Sequence, residues 1–448
     1  MKNYIYKIAF ASVFAFLSSC AVDDFVPENS LTLELIVTSE NDLLNLMVGT
    51  YSFAGSGASY GGQAYIASEL LGNSNDVVWN GTFIDPDEYA RKQMVTTNGF
   101  VLNLFSDNYD AINQCNIILA NLGVIDSSDE TRNRVEGEAK FIRALEHFDL
   151  VRFFATQYQA GGNNSQLGIA LNLSPSTESL ATGPRNTVEE VYVQVIADLT
   201  DAINLLPPSN GFFADRAAAQ GLLARVYLQQ GNLTGARDMA NTVIESSGHS
   251  LNTNYDDAFN NDSDSSEDIF SFQVDVTDGV NSMNTFWATA QFGGRPGNPD
   301  IAVTDAFYAS LPDGDFRKTY FYTGNGGNAT TKWQGENTNV SFMRLAEMYL
   351  VRAEANVRLN TATGDSPVND LNRLRNRAMA PGLSGAVTLE DVIRDRRFEL
   401  AFEGHLLHDV KRLGLMAGSL PSTSPRIVMP IPQAEIDANP DAVQNPGY

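Results

Sequence analysis

The chain has 448 residues, 54 of them acidic and 29 basic, for a net charge of −25, with 43% hydrophobic residues. That length and apolar content suit two or three average domains or one large helical one with a substantial core. So acidic a balance argues against nucleic-acid backbones and anionic membrane surfaces as partners, and leaves neutral or cationic ligands.

At the N-terminus, Lys2 and Lys7 flank the start of an apolar run from Ile8 to Leu17, and Ser18-Ser19-Cys20 follow. A charged n-region and a short apolar core define a signal peptide over residues 1–19. Leu17-Ser18-Ser19-Cys20 resembles a bacterial lipobox, in which the cysteine becomes the lipidated first residue of the mature chain. Cys20-Ala21-Val22-Asp23-Asp24 further resembles the acidic surface-export signal of Bacteroidota lipoproteins. The expectation is a lipid anchor at Cys20, a tether over 20–31 and a position on the outer face of the outer membrane.

Leu43 to Tyr51 begins a helix, which YSFAGSGASYGGQ interrupts with glycines. The segment from Tyr60 to Thr97 reads as irregular and carries Glu69, Asn73, Asn75, Asp76 and Trp79. Apolar residues at helical spacing then predict a helix over about Leu102–Leu122, with Cys115 as a buried free thiol, and a second long helix between Asp129 and Phe154. Thr187 opens another, with Glu189 and Glu190 at its positive end, and Pro207-Pro208 close it.

Residues Ala217 to Ser246 carry the clearest repeat signal: Leu223, Ala224 and Tyr227 on one helix, Gly231 and Leu233 at the turn, Ala236 and Ala240 on the next. Small residues at those places let two antiparallel helices approach closely, the tetratricopeptide pattern. Helix pairs of this kind are expected at about 102–154, 187–246 and 343–380, with the one around Leu102 degenerate. Helical repeats are more often docking surfaces than catalytic ones.

Between them an irregular insert spans about 252–338, rich in Asn, Asp, Gly, Ser and aromatics. Its NDSDSSED stretch at 261–268 lacks the central glycine and terminal glutamate of a calcium loop. No cofactor or metal is expected, and a structural calcium elsewhere stays open. All three tryptophans, Trp79, Trp287 and Trp333, fall in irregular polar segments. Sugar rings stack their C–H faces on indoles while their hydroxyls bond to Asp, Asn and Arg. Asp76, Trp79, Phe286, Trp287, Arg295 and Trp333 are therefore the candidate ligand-binding residues, set against a plain role in anchoring long loops.

The stretch Val392–Arg412, VIRDRRFELAFEGHLLHDVKR, has helical apolar spacing broken at Gly404, with Arg396, Glu399 and Glu403 on one expected face. Two carboxylates beside arginines suit either an acid pair or a partly buried ion network. Arginine neighbours lower both pKa values, whereas a glycosidase acid needs one raised, so the network is the better reading. His405 and His408 sit three apart without a clear third ligand and read as surface or capping residues.

This stretch resembles the SusD/RagB family of outer-membrane lipoproteins through Arg396, Arg397, Glu399, Leu400, Ala401, Phe402, Glu403, Gly404, Asp409, Lys411 and Arg412. RLAEMYLVRAEA at 344–355, LNRLRNRA at 371–378 and VMPIPQAEIDANPDAVQNPGY at 428–448 match the same family in order. Asp395 replaces the family's leading Glu, and Leu406 and Leu407 stand where it has Arg and an aromatic. The resemblance implies a mostly α, SusD-like fold over 32–448, with about four tetratricopeptide-like pairs, long irregular ligand-binding loops and little β. It also implies a non-enzymatic protein that captures an oligosaccharide or polysaccharide, or in the RagB branch a peptide, and delivers it to a SusC-like TonB-dependent transporter.

Overall fold

The computed structural model describes residues 37–448 except 177–180, 182, 298 and 325–326, so the signal peptide, Cys20 and the tether lie outside the described residues. The first part of the chain forms α1 (Glu40–Ala54), α2 (Gln63–Gly72), β1 (Val77–Trp79), α3 (Ile84–Arg91), α4 (Gly99–Ala120) and α5 (Asp129–Phe154). Then come α6 (Val188–Leu205), α7 (Arg216–Gln230), α8 (Leu233–Ser246), β2 (Asp268–Phe272), α9 (Ser282–Trp287), β3 (Ile301–Val303) and α10 (Asp305–Ser310). The rest comprises β4 (Phe321–Gly324), β5 (Gly327–Thr330), β6 (Val340–Arg344), α11 (Leu345–Leu359), α12 (Pro367–Arg377), α13 (Leu389–Glu399) and α14 (Leu406–Leu413), then β7 (Met416–Ala417), β8 (Leu420–Pro421) and α15 (Gln433–Ala438). The mostly α reading holds.

Local chemistry sets the helix ends. Ser128 Oγ accepts the amide of Thr131 at 3.0 Å, and Asp129 and Glu130 occupy the positive first turn of α5. Thr187 and Glu190 close a capping box on α6, as Thr388 and Asp391 do on α13. Gly231 takes φ 82° after α7, which reverses the chain into α8, where Asn232 caps through the amide of Gly235.

Each long helix packs on the next: α1 on α4, α4 on α5, α5 on α6, α6 on α7, α7 on α8, α8 on α11, and α11 on α12 and α13. From Val135 to Phe154 almost every residue of α5 is buried, so that helix forms the centre. Its neighbour α4 buries Cys115, a free thiol whose pKa burial raises. Arginine–carboxylate pairs tie these layers together: Arg143–Asp198 between α5 and α6, Arg225–Glu347 between α7 and α11, Arg352–Asp370 between α11 and α12, and Arg375–Asp395 between α12 and α13. All four form two parallel hydrogen bonds, which fixes orientation as well as distance.

The segment 252–338 is more ordered than its composition predicts. It supplies three strands of a four-stranded antiparallel sheet, ordered β1-β3-β5-β4, and β2, which pairs with β6. The strands are three to five residues long, too short for alternation to register, and the sheet is joined by pairs such as Trp79↔Ile301 between segments far apart in the chain.

Candidate functional site

The stretch from Val392 to Arg412 is mostly buried. Helix α13 ends at Glu399, Phe402 takes φ 66° and Gly404 takes φ 78°, and α14 begins at Leu406. A Cβ on Gly404 would run into Tyr65, so only glycine fits this turn. Because the helix stops early, Glu403 does not share a helical face with Arg396 and Glu399. Arg396 turns instead to Asp409 at 2.8 Å and Glu347 at 3.7 Å.

Glu399 and Glu403 both meet Arg344. Its Nη1 lies 2.6 Å from Glu267 and 3.3 Å from Glu399, and its Nη2 lies 2.8 Å from Glu403. Arg377 bridges Glu267 and Glu399, Arg317 joins Asp315 to Glu399, and Lys332 reaches Glu403 at 2.6 Å. Four cations thus balance four carboxylates in the interior. Burial pushes Glu399 upward, but Arg377, Arg344 and Arg317 outweigh it and hold the carboxyl at about 2. Glu403 is also lowered, by Arg344 and Lys332 against its burial. Neither carboxyl has the raised pKa of a general acid.

The histidines also differ from the surface expectation. His408 is buried, its ring 4.9 Å from Phe153, and burial beside Arg152 and Lys411 depresses its pKa far below the usual imidazole range. His405 precedes α14 without a side-chain capping bond. Among the described residues no group of three or more His, Cys, Asp and Glu is arranged to hold a metal ion. In the 261–268 stretch, Asp264 accepts from Gln273 and Asn339, and Asp268 from Ser265 and Ser341.

Several candidate ligand residues are turned inward. Trp287 is fully buried with its ring 4.9 Å from that of Phe402, and Trp333 is buried with its indole N–H donating to the Phe402 carbonyl at 3.2 Å. No ligand ring reaches either face, so these two residues are corrected to anchors that hold the turn at Phe402. Phe286 is buried on α9. Both carboxylate oxygens of Asp76 are taken by Arg397, an ion pair that fastens β1 to α13.

Trp79 and Arg295 are only partly buried, and both lie near Asp300 and the Phe83–Phe286 pair. Trp79 pairs with Ile301 at the end of β1, and the next amide, Asn80, donates to the Asp300 carbonyl at 2.7 Å. The half-buried indole packs on Phe286 at 6.1 Å, and a Cβ on Gly81 would run into its six-membered ring. Phe83, 43% exposed, follows one turn of loop later and rests edge-on against Phe286 and Phe100. The Arg295 guanidinium lies 3.7 Å over the Phe83 ring, with Nη2 donating to Thr82 Oγ1 at 3.2 Å.

Arg295 Nε is 3.0 Å from Asp300 Oδ2 without an aligned N–H, an ion pair rather than a directed hydrogen bond. Burial raises the Asp300 carboxyl from its ordinary value, and Arg295 partly offsets that. The loop carrying Arg295 is pinned by Tyr322, whose hydroxyl accepts the Thr289 amide at 3.0 Å and whose ring meets Phe292 at 5.2 Å. The outcome is a surface platform of Trp79, Phe83 and Arg295. Phe83 and Asp300 were missed because the sequence search followed tryptophans, although Phe83 lies in the same polar run, WNGTF.

A larger cleft, about 520 Å³, lies elsewhere, between the end of α1, the glycine-rich loop after it, Phe212-Phe213 and the loop before α9. Its size suits a small molecule. Its polar lining is largely engaged: Ser56 donates to Asp107, Gln273 bonds Asp264 and Asn339, and Asn281 donates to the carbonyls of Gly335, Glu336 and Thr338. The platform offers the better chemistry for a sugar: a partly exposed indole, an exposed ring and a guanidinium with donors left over.

Residues 26–228 match a family described as starch-binding and associating with the outer membrane, and residues 249–420 match the SusD family. The chain is similar to SusD-like protein P2 of Formosa agariphila, 25% identical over 521 residues that cover all of both chains. It is 24% identical over 445 residues to the starch-binding protein SusD of Bacteroides thetaiotaomicron, covering 76% of this chain and 77% of that one. A solved SusD superfamily protein from the same organism superposes with a TM-score of 0.83 at 26% identity, over 91% of this chain and all of the other. The chain belongs to the SusD/RagB family.

Proposed function

We propose that this protein is a cell-surface carbohydrate-binding lipoprotein, anchored through Cys20, that captures an oligosaccharide or polysaccharide and hands it to a SusC-like TonB-dependent transporter. The observation that carries the binding role is the Trp79–Phe83–Arg295 platform, exposed on a fold whose family includes a starch-binding relative. An aromatic surface with a guanidinium donor matches the two faces of a pyranose, apolar C–H and polar hydroxyl. Capture without turnover agrees with Glu399 and Glu403, the one tempting acid pair, being buried and held ionised. Transporter delivery and the outer-membrane position rest on family membership, and no helix among the described residues is long and apolar enough to cross a membrane.

Affinity electrophoresis and calorimetry against an oligosaccharide panel and a peptide library test the reading. Saturable binding to at least one glycan is expected. Binding to peptides alone would replace this reading with a peptide-capturing one, and glycan turnover abolished by Glu399→Gln would replace it with a hydrolase.

A further inference from the structure

Arg295 is the cation of the platform, and its charge is already answered from beneath. Asp300, its side chain 8% exposed, lies under a guanidinium whose own side chain is 26% exposed. The backbone of Asp300 is fixed and its side chain is closely packed: the Asn80 amide donates to the Asp300 carbonyl at 2.7 Å, and a Cβ on Gly81 would come within 2.8 Å of the Asp300 carboxyl carbon. One buried carboxylate, Asp300, therefore answers the guanidinium, on a chain of net charge −25.

We infer that the platform selects uncharged sugars over sulfated or uronate ones, and that Asp300 sets this choice by neutralising Arg295. The inference rests on the carbohydrate-binding reading and deepens it. A sulfate or carboxylate approaching Arg295 meets a guanidinium already paired with Asp300. A neutral hydroxyl needs only an N–H donor. Of the five on Arg295, Nε faces Asp300 and one on Nη2 goes to Thr82, which leaves the others for a ligand.

The test is a calorimetric titration of the purified chain with maltohexaose, cellohexaose, mannohexaose and laminarihexaose as neutral probes. Oligogalacturonate, oligoalginate and chondroitin sulfate oligosaccharides serve as anionic ones, and each titration is run at low and high salt. The expected result is binding of a neutral probe with a Kd that salt does not change, and anionic probes at least about tenfold weaker. Asp300→Asn frees the guanidinium for one charge-assisted hydrogen bond and shifts the anionic-to-neutral affinity ratio by about tenfold toward the anionic probes. A preference for an anionic probe that fades with salt overturns the inference while leaving carbohydrate binding intact, and so does an unchanged ratio in folded Asp300→Asn. If that variant does not fold, the salt series on the natural chain decides alone. Binding to no glycan of either class overturns the inference together with the reading beneath it.

Discussion

Replacing Arg344 by methionine removes the cation at the centre of the buried ion cluster. Arg344 is 2% exposed and contacts Glu267 at 2.6 Å, Glu399 at 3.3 Å and Glu403 at 2.8 Å. The neutral set of four cations and four carboxylates becomes one with an uncompensated negative charge buried away from water. Breaking a buried pair this way costs about 3–5 kcal/mol, because the abandoned partner keeps its desolvation penalty. Urea unfolding followed by tryptophan fluorescence reports on it locally, since Trp287 packs on Phe402 and Trp333 donates to that residue's carbonyl beside the cluster. The urea midpoint falls at constant m-value. Adding Glu403→Gln to Arg344→Met restores the charge balance and recovers at least about 1 kcal/mol of the loss. A single variant within about 1 kcal/mol of the natural chain would refute the claim that this cluster holds the C-terminal segment in place.

Acid unfolding follows from the same residues. The folded pKa of Glu399 lies near 2, below its ordinary 4.5, so its contribution is complete above about 4.5 and is lost as pH falls through about 2. Asp409 behaves alike, held near 2 by Arg396 and Arg412 despite burial. Stability monitored by circular dichroism therefore drops steeply between pH 4.5 and 2, and a flat profile there counts against the ionised cluster. Glu69 works in the opposite direction: burial and Asp76 raise it to about 8, so its contribution is lost as pH rises from 4.5 toward 8, and Glu69→Gln lessens that loss in an alkaline thermal scan. Cys20→Ala releases the protein from the membrane fraction, and retention of the variant at the cell surface contradicts the anchor.

The elements legible in the sequence are those with local chemistry. The Thr187 start of α6 with Glu189 and Glu190 in its first turn, and the alanines and Gly231 of α7–α8, depend on neighbours within a few positions and are visible in one dimension. The site was less legible because it is assembled by pairing between distant segments. Trp79 meets Ile301 through a three-residue strand, and Arg295 finds Phe83 only once that strand has formed. Trp287 misled for a related reason. A tryptophan beside GGRPGN reads as a loop residue, yet the six-residue helix α9 carries it into the core against Phe402. Arg396 looked like a partner of Glu399 by helical spacing, but the helix ends too soon and Asp409 from α14 takes it.

The platform and the larger cleft can be told apart by one set of titrations. For whichever oligosaccharide the chain binds, calorimetry is run on Trp79→Ala, Phe83→Ala and Phe212→Ala, the last removing a ring that is 58% exposed at the cleft rim. A sugar stacked on the platform makes the first two weaken binding by about 1–3 kcal/mol each, on the scale measured for base–aromatic stacking, with Phe212→Ala within about 0.5 kcal/mol of the natural chain. Loss of affinity in Phe212→Ala, with Trp79→Ala and Phe83→Ala unaffected, would move the binding site to the cleft and contradict the assignment made from Trp79, Phe83 and Arg295.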